Sequence, residues 1–526
     1  MSDRLTAEVL IAGAGPAGLT LGLALARQGI EVLVVDAAAE PWAIPRAAVV
    51  WPREAELLAA IGLEGPLRAA STPLVMTNVF MGRRRLGALS FGRLESAFPR
   101  PLLIEQHILQ HLTLDALEAA GGRVLWRTAL SAFELGEDGV HATLGAADGA
   151  PGEARAGWLV GCDGARSNVR KRLGVAFDGA PAKNLEVVQV KARLDWPYDP
   201  DEGALFLAAN HSLGSFPMPG GQRRFYCFKT IEEPDRASPP SLAEMEALIG
   251  RMMGGPPVAL RDADWLSRAR FQRRIASRMR VGRALLAGDA AHVWPAVGGH
   301  GMAMAVQDAC NLAWRLAAVI RGCGPDALLD VYGEEQRTQA AALIAAMELD
   351  LLERPLPGPL AAAVGLVLPG LLKFEPAQKA IETMLSDLTL HRRRSPMSVG
   401  GAGDRLPDVA VRSDGAVLML HSLLSPDRWT LLVPARADLG RLEPALRQLG
   451  SLRVEAIEPA DASARKALAG MELMLLVRPD GVIGLKARPN DVAALGRYIS
   501  SWLGVSAPLA PAELEPAPPL QSVPAE

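Results

Sequence analysis

The chain runs to 526 residues, 49% apolar and 21% charged; that exceeds one core, suits two or three domains of roughly 100 to 200 residues, and excludes a disordered or fibrous chain. Lys plus Arg number 55 against 58 Asp plus Glu, a net charge of −3, so no electrostatic pull toward nucleic acid or an anionic membrane is present.

Ala7 to Ala12 reads as a short buried strand that runs into Gly13-Ala14-Gly15-Pro16-Ala17-Gly18, and Leu19, Leu23 and Ala26 then recur at helical spacing up to Gly29. A second apolar run, Val32 to Val35, ends in Asp36. Strand, glycine turn, helix and parallel strand, with an acid about 20 residues past the glycines, make the dinucleotide-binding pattern. Gly13 permits the tight turn, Gly15 lets backbone amides approach a diphosphate, and Gly18 lets helix and strand pack closely. Pro16 suits a first helical turn, followed by Ala17. The helix N-terminus presents unpaired donors to the phosphates, and Asp36 accepts from a ribose.

Further along stand Pro45-Arg46-Ala47 with Arg53 and Glu56, then Glu105-Gln106-His107-Ile108-Leu109, then Leu159-Val160-Gly161-Cys162-Asp163-Gly164-Ala165-Arg166-Ser167. Residues 176–275 lack dinucleotide signals and alternate apolar with polar, as in Leu185 to Lys191 and Arg224 to Phe228, which predicts a β-rich insert. The chain then reads Ala284-Leu285-Leu286-Ala287-Gly288-Asp289-Ala290-Ala291-His292, Pro295, and Gly298-Gly299-His300-Gly301-Met302-Ala303. A helix follows, with Leu312, Leu316 and Val319 on one face, and another runs through Tyr332 to Leu352. Gly400 to Leu406 is a glycine-containing boundary, after which Trp429 to Val433 and Leu473 to Val477 read as buried strands, Arg478-Pro479-Asp480-Gly481 as a turn and Val492 to Leu503 as a helix. Residues 509–526 are proline-rich and read as a flexible tail.

The three glycine-rich segments, in this order, resemble the FAD-dependent aromatic hydroxylases, the single-component flavoprotein monooxygenases related to para-hydroxybenzoate hydroxylase. The resemblance covers about residues 1 to 400, and the remaining C-terminal part looks like the thioredoxin-like domain of a subset of that family. It implies an α/β fold with a Rossmann-type FAD-binding domain in two parts (1–175 and 276–399), an inserted β-rich substrate domain (176–275) and a thioredoxin-like domain (400–508). Carried over by residue, Arg46 and Gln106 contact FAD, Asp163 serves both FAD and the pyridine nucleotide, and Asp289 holds the ribityl chain. Pro295 and Gly298, Gly299, Gly301 and Met302 run past the isoalloxazine. Family members usually carry proline where Ala296 stands, glutamine or a similar residue at His300, and asparagine at Ala303.

The implied reaction uses NAD(P)H and O2 to hydroxylate a phenolic or polyketide-like small molecule through a flavin C4a-hydroperoxide. Baeyer–Villiger or epoxidising oxygenation, flavin-dependent reduction, and flavin binding without turnover stay open, because fold does not fix chemistry. In the insert, Phe206, Phe216, Met218, Phe225 and Phe228 are the candidates to line a substrate cavity. For acid or base the candidates are His300, Arg46 and His211, in that order. His107 and His111 stand four apart without a third ligand, so no metal is expected. Arg83 to Arg85 and Arg392 to Arg394 read as solvated faces or interdomain contacts. Four cysteines without a C-x-x-C pair, no signal-peptide pattern and no apolar run long enough to span a bilayer predict a soluble cytoplasmic protein, and a homodimer is left open.

Overall fold

Four strands from distant stretches of sequence end level with one another. The computed structural model describes residues 5–41, 47–146, 151–231, 238–348, 350, 352–440, 442, 452–468 and 473–503. In it, Leu5–Ala12 pairs in parallel with Val32–Val35 on one side and Pro151–Gly161 on the other, and Pro151–Gly161 pairs with Ala284–Leu286. The register sets Ala12 beside both Val35 and Gly161, and Gly161 beside Leu286. The residues that leave these strands are therefore Gly13, Asp36, Cys162 and Ala287, together at the carboxyl edge where open α/β sheets bind ligands. Helices cover the sheet, which is why its strands are continuously apolar. Every residue of helix Pro16–Ala26 after Pro16 is buried, and the helix packs along His300–Ile320.

The second sheet has the order His292–Val293, Arg261–Ala276, Phe177–Arg193, Arg223–Thr230, His211–Pro217, Gly203–Ala208, Met76–Met81, Arg84–Ser90. It thus extends beyond the expected 176–275 insert: the hairpin Met76–Ser90 joins it by parallel pairing of Met76–Met81 with Gly203–Ala208. Its two faces have different partners. Outward, Val188, Val190, Phe206, Leu213 and Phe225 form a core with Met245, Leu248, Ile249 and Met252 of helix Leu242–Met252. Inward, Val187, Tyr226 and Phe228 meet Trp294, Val297 and Met304, while Leu205, Leu207 and Phe216 meet Trp51, Ala303 and Leu368.

Residues 410–503 build a six-stranded sheet in which Trp429–Pro434 runs parallel to Leu452–Pro459 and antiparallel to Met474–Val477, itself antiparallel to Ile483–Ala487. This is the thioredoxin-like unit, and it holds no cysteine. Its core continues into helices His300–Ile320 and Ala327–Glu348 through Trp314, Leu328 and Val331. The Arg478–Gly481 turn is not a surface turn: Arg478 is 1% and Asp480 5% exposed. Arg478 binds both oxygens of Glu335, at 2.8 and 3.1 Å, and Arg315 and Arg392 reach Glu335 Oε2 at 2.7 and 2.8 Å. Arg392 is thus buried in a charge cluster that it shares with Arg478, and is not a solvated face.

Candidate active site

Glycines at the carboxyl edge separate into those the chain needs for itself and one it does not. Gly13 has φ +107°, and a Cβ there would lie 2.4 Å from the Cys162 carbonyl oxygen; a Cβ on Gly18 would lie 1.8 Å from the Gly13 oxygen. A Cβ on Gly15 would meet nothing within 4 Å. The space beside it is therefore open. Helix Pro16–Ala26 begins here with no side-chain cap, so its first amides and partial positive charge face the opening.

Asp36 Oδ2 accepts from the Ala14 amide at 2.7 Å and Oδ1 from Ala38 at 2.8 Å. Each oxygen keeps a lone pair for a ribose hydroxyl. Gln106 opens helix Gln106–Ala119 and accepts from the Ala47 amide at 3.1 Å. Asp163 Oδ2 accepts from Asn168 and Val169 at 2.7 and 3.1 Å, while Oδ1 is buried without a partner among the described residues. Asp289 is exposed on the single turn Gly288–Ala290. That turn is fixed by Asp308, which accepts from the Gly288 amide and contacts His292 Nε2, both at 2.7 Å. Burial works against a charged His292, but Asp308 outweighs it and raises the imidazole above its ordinary range. An open glycine, uncapped helix amides, a buried orphan carboxylate oxygen and an exposed aspartate along one edge fit a dinucleotide with a ribityl diphosphate chain.

The second glycine turn lies deeper. Gly298 and Gly299 have φ of +74° and +70°, a left-handed pair that only glycine adopts without strain, and helix His300–Ile320 follows at once. Pro295, Gly298 and Met302 are buried, while Gly301 is exposed. Amides at such a turn and helix start stabilise negative charge on a ring laid against them. The Gly298 carbonyl accepts from Trp51 Nε1 at 3.0 Å, and its amide donates to Glu353 Oε2 at 2.7 Å. His300 is 0% exposed. It stacks on Trp51 at 5.4 Å, and Nδ1 stands 2.9 Å from Asp387 Oδ1. Burial disfavours its charge, yet Asp387 raises its pKa. His300 therefore sits behind the turn, with no surface of its own to offer a substrate.

Other expectations fare differently. Phe206 and Phe225 are corrected: both belong to the outward core under helix Leu242–Met252. The period of two in a strand puts Phe225 and Phe228 on opposite faces, so they cannot line one cavity. Phe216 and Phe228 stand on the inward face with Tyr226 between them, at ring distances of 5.7 and 5.8 Å. Met218 is buried just past the strand end, its amide bonded to Gln222 O at 2.9 Å. His211 is also corrected. It shares the parity of Leu213, on the outward side, with Nδ1 3.1 Å from Ala209 O, and burial lowers its pKa. Arg46 lies outside the described residues, as do the tail residues 509–526.

Sequence reasoning missed Trp51, Tyr226, Asp308, Glu353 and Asp387. Tyr226 was legible from parity with Phe216 and Phe228, whereas Glu353 lies in a loop between helices and carries no local signal. Tyr226 Oη donates to Glu353 Oε1 at 2.8 Å. Burial first, then the neighbouring Asp350, push the Glu353 carboxyl up to about 7.

A family model described as FAD binding domain matches residues 6–347, and one described as aromatic-ring hydroxylase, C-terminal, matches residues 400–506. The chain is 32% identical to a 6-methylpretetramide 4-monooxygenase of Streptomyces rimosus over 93% of this chain and 92% of that one. It is 30% identical to a 12-dehydrotetracycline 5-monooxygenase/anhydrotetracycline 6-monooxygenase of Streptomyces rimosus subsp. rimosus, covering 94% and 99%. Among solved structures, an anhydrotetracycline hydroxylase from Streptomyces rimosus superposes with a TM-score of 0.77 at 29% identity, covering 96% of this chain and all 100% of that one. Aklavinone-11 hydroxylase, in a ternary complex with FAD and aklavinone, superposes with a TM-score of 0.76 at 26% identity, covering 95% and 99%. The chain belongs to the FAD-dependent aromatic-ring hydroxylases and is a flavoprotein monooxygenase.

Proposed function

We propose that the protein hydroxylates a fused-ring phenol of aromatic polyketide type, drawing electrons from NAD(P)H and one oxygen atom from O2, in a reducing cytoplasm. The observation that carries the substrate class is the inward face of the second sheet, where the half-buried rings of Phe216 and Tyr226 stand 5.7 Å apart on the side that Glu353 ties to the Gly298 amide, with Phe228 fully buried next to Tyr226. A flat aromatic ligand packs on such rings, and Glu353 supplies a polar anchor beside them. The names of the relatives agree, since 6-methylpretetramide, anhydrotetracycline and aklavinone are all in them.

Bound FAD supplies the redox chemistry, passing electrons from NAD(P)H to oxygen and an oxygen atom to the ring. The chain's own part is to bind and orient. In this reading Gly13, Gly15, Pro16, Ala17 and Gly18 receive the diphosphate and Asp36 a ribose. Arg46, Gln106, Asp163 and Asp289 hold the remaining chain of the cofactor, and Pro295 and Gly298 to Met302 flank its ring. The apolar walls around Trp51, Leu205 and Ala303 exclude water, which protects the reaction from unproductive peroxide release.

The test is anaerobic NAD(P)H reduction of the purified yellow protein with anhydrotetracycline, aklavinone or 6-methylpretetramide present, followed by turnover under 18O2. Faster bleaching and a product heavier by one labelled oxygen are expected. If none of the three accelerates bleaching while a monocyclic phenol does, the polyketide assignment is wrong.

A further inference from the structure

Hydroxylation of a phenol is easiest on the phenolate, so a proton acceptor is needed beside the ring. Glu353 sits in the segment joining helices Ala327–Glu348 and Gly358–Leu371, between the sheet's inward face and the glycine turn. Its two oxygens bridge these layers, accepting from Tyr226 Oη at 2.8 Å and from the Gly298 amide at 2.7 Å. Its backbone carbonyl accepts from Ser212 Oγ. Asp350 Oδ1 accepts from the Leu352 and Glu353 amides at 2.7 and 3.1 Å, which holds the segment in place.

The fold makes room for this pairing. A Cβ on Gly214 would lie 2.0 Å from Tyr226 Cζ. Only a bare residue on the neighbouring strand lets the Tyr226 ring cross it and reach Glu353. Among the described residues no Lys or Arg pairs with Glu353, unlike Lys191 and Glu105, which neutralise each other at 3.1 Å. The groups that face Glu353 are Tyr226 from the sheet, Asp350 from its own segment, and His300 from the helix with Asp387 behind it. Glu353 is half-buried as a residue, and each oxygen keeps one lone pair free.

We propose that Glu353 is the catalytic proton acceptor for the phenolic substrate and that Tyr226 positions it. This rests on the proposed hydroxylation. In the step, the substrate O–H bond breaks and a carboxylic O–H bond forms on Glu353. The bonding pair stays on the substrate oxygen as phenolate, and no electron is exchanged. Protonation also removes the negative charge that Glu353 holds against the Gly298 amide. An anionic reduced flavin bound against this turn would feel that charge, because like charges close together are mutually unfavourable.

The experiment compares wild type, Glu353→Gln and Tyr226→Phe, all loaded with FAD, using anhydrotetracycline and 4-nitrophenol as probes. With anhydrotetracycline, Glu353→Gln is expected to lower the hydroxylation rate roughly 100-fold or more and to regain rate as pH rises toward the probe's own ionisation, whereas 4-nitrophenol, already largely ionised near neutrality, should lose far less. A structural defect would not be rescued by base. Wild-type rate rises with pH through the Glu353 ionisation, and Tyr226→Phe should move that limb to higher pH, because the lost hydrogen bond had favoured the carboxylate. Without any substrate, a pH titration of the flavin absorption spectrum should show a step near neutrality that is absent in Glu353→Gln. A missing step in wild type, or a Glu353→Gln profile superimposable on wild type, overturns the proposal. If neither probe is hydroxylated by wild type, the hydroxylation reading fails for those probes while the substrate-free step still decides whether Glu353 titrates against the cofactor.

Discussion

Changing Glu335 to Gln removes one charge from a buried point where three guanidiniums converge. Oε2 accepts from Arg315, Arg392 and Arg478 at 2.7, 2.8 and 3.1 Å, and Oε1 accepts from Arg478 at 2.8 Å and Ser395 Oγ at 2.6 Å. The other carboxylate in the cluster, Asp480, is bonded to Arg478 at 2.5 Å and Asn311 at 2.8 Å. Two anions serve three cations in wild type, and the variant leaves one. Removing one partner of a buried pair costs about 3–5 kcal/mol. The amide NH2 would in addition face an arginine donor, so the upper part of that range, about 4–5 kcal/mol, is expected. Urea unfolding of the FAD-loaded protein, followed by near-UV circular dichroism, reads the loss. The pH dependence has a definite sign. Burial opposes ionisation of Glu335, but Arg315, Arg478 and Arg392 hold it well below its ordinary 4.5. The stability it contributes is thus present above that value and lost as pH falls through the depressed one. The gap between wild type and Glu335→Gln should be full near neutrality and close in acid. A deficit under about 1 kcal/mol at neutral pH, the range of an exposed pair, or a gap that widens on acidification, would refute the reasoning.

Phe206→Ala should cost about 3–5 kcal/mol of stability by leaving a hole in the outward core, with substrate-stimulated flavin reduction per folded molecule unchanged; intact stability with lost substrate affinity would return Phe206 to the cavity. Gly15→Ala should leave the melting temperature of the apoprotein unaltered and weaken FAD binding at least about tenfold, a loss of roughly 1.4 kcal/mol, whereas Gly18→Ala should fail to accumulate as folded protein because its Cβ meets the Gly13 carbonyl at 1.8 Å. Equal FAD affinity in Gly15→Ala would remove the diphosphate from that loop. His292 is raised by Asp308 against the effect of burial, so its ionic contribution is complete below its ordinary value and fades as pH climbs through the raised one. Denaturation of wild type and His292→Asn should accordingly differ more at about pH 6 than at about pH 9.

The first nucleotide-binding unit was readable because its parts are local. Gly13 to Gly18 and Asp36 lie within a few residues of the strands and helix that place them, and each glycine's role follows from a backbone constraint. The convergence of Asp163 and Asp289 on the same edge needed parallel pairing of strands far apart in the chain, which the family resemblance supplied and periodicity did not. In the insert, residue type without face was misleading. Phe225 and Phe228 differ by three positions on one strand, and parity already forbade a shared cavity. Glu353 is 127 residues from Tyr226 and sits on irregular backbone, so nothing local announced it. The Arg478–Gly481 turn was legible as a turn from its Pro-Asp-Gly, but its burial follows from Glu335, a helix residue whose charge had no visible partner in the sequence.

That turn also binds the fate of the third unit to the chemistry of the first. The Asp480 carbonyl accepts from Arg53 at 2.5 Å, and Arg405 grips Glu56 on the same helix, Pro52–Leu58. One residue ahead of this helix stands Trp51, whose indole steadies the Gly298 carbonyl. A shortened relative that dispensed with everything past Gly400 would keep the Arg53–Glu56 pair at 3.2 Å but lose the Asp480 carbonyl and Arg405 that complete it, leaving a slack tether on the Gly298 turn. Evolution could discard the appendage only by rewriting that helix at the same time.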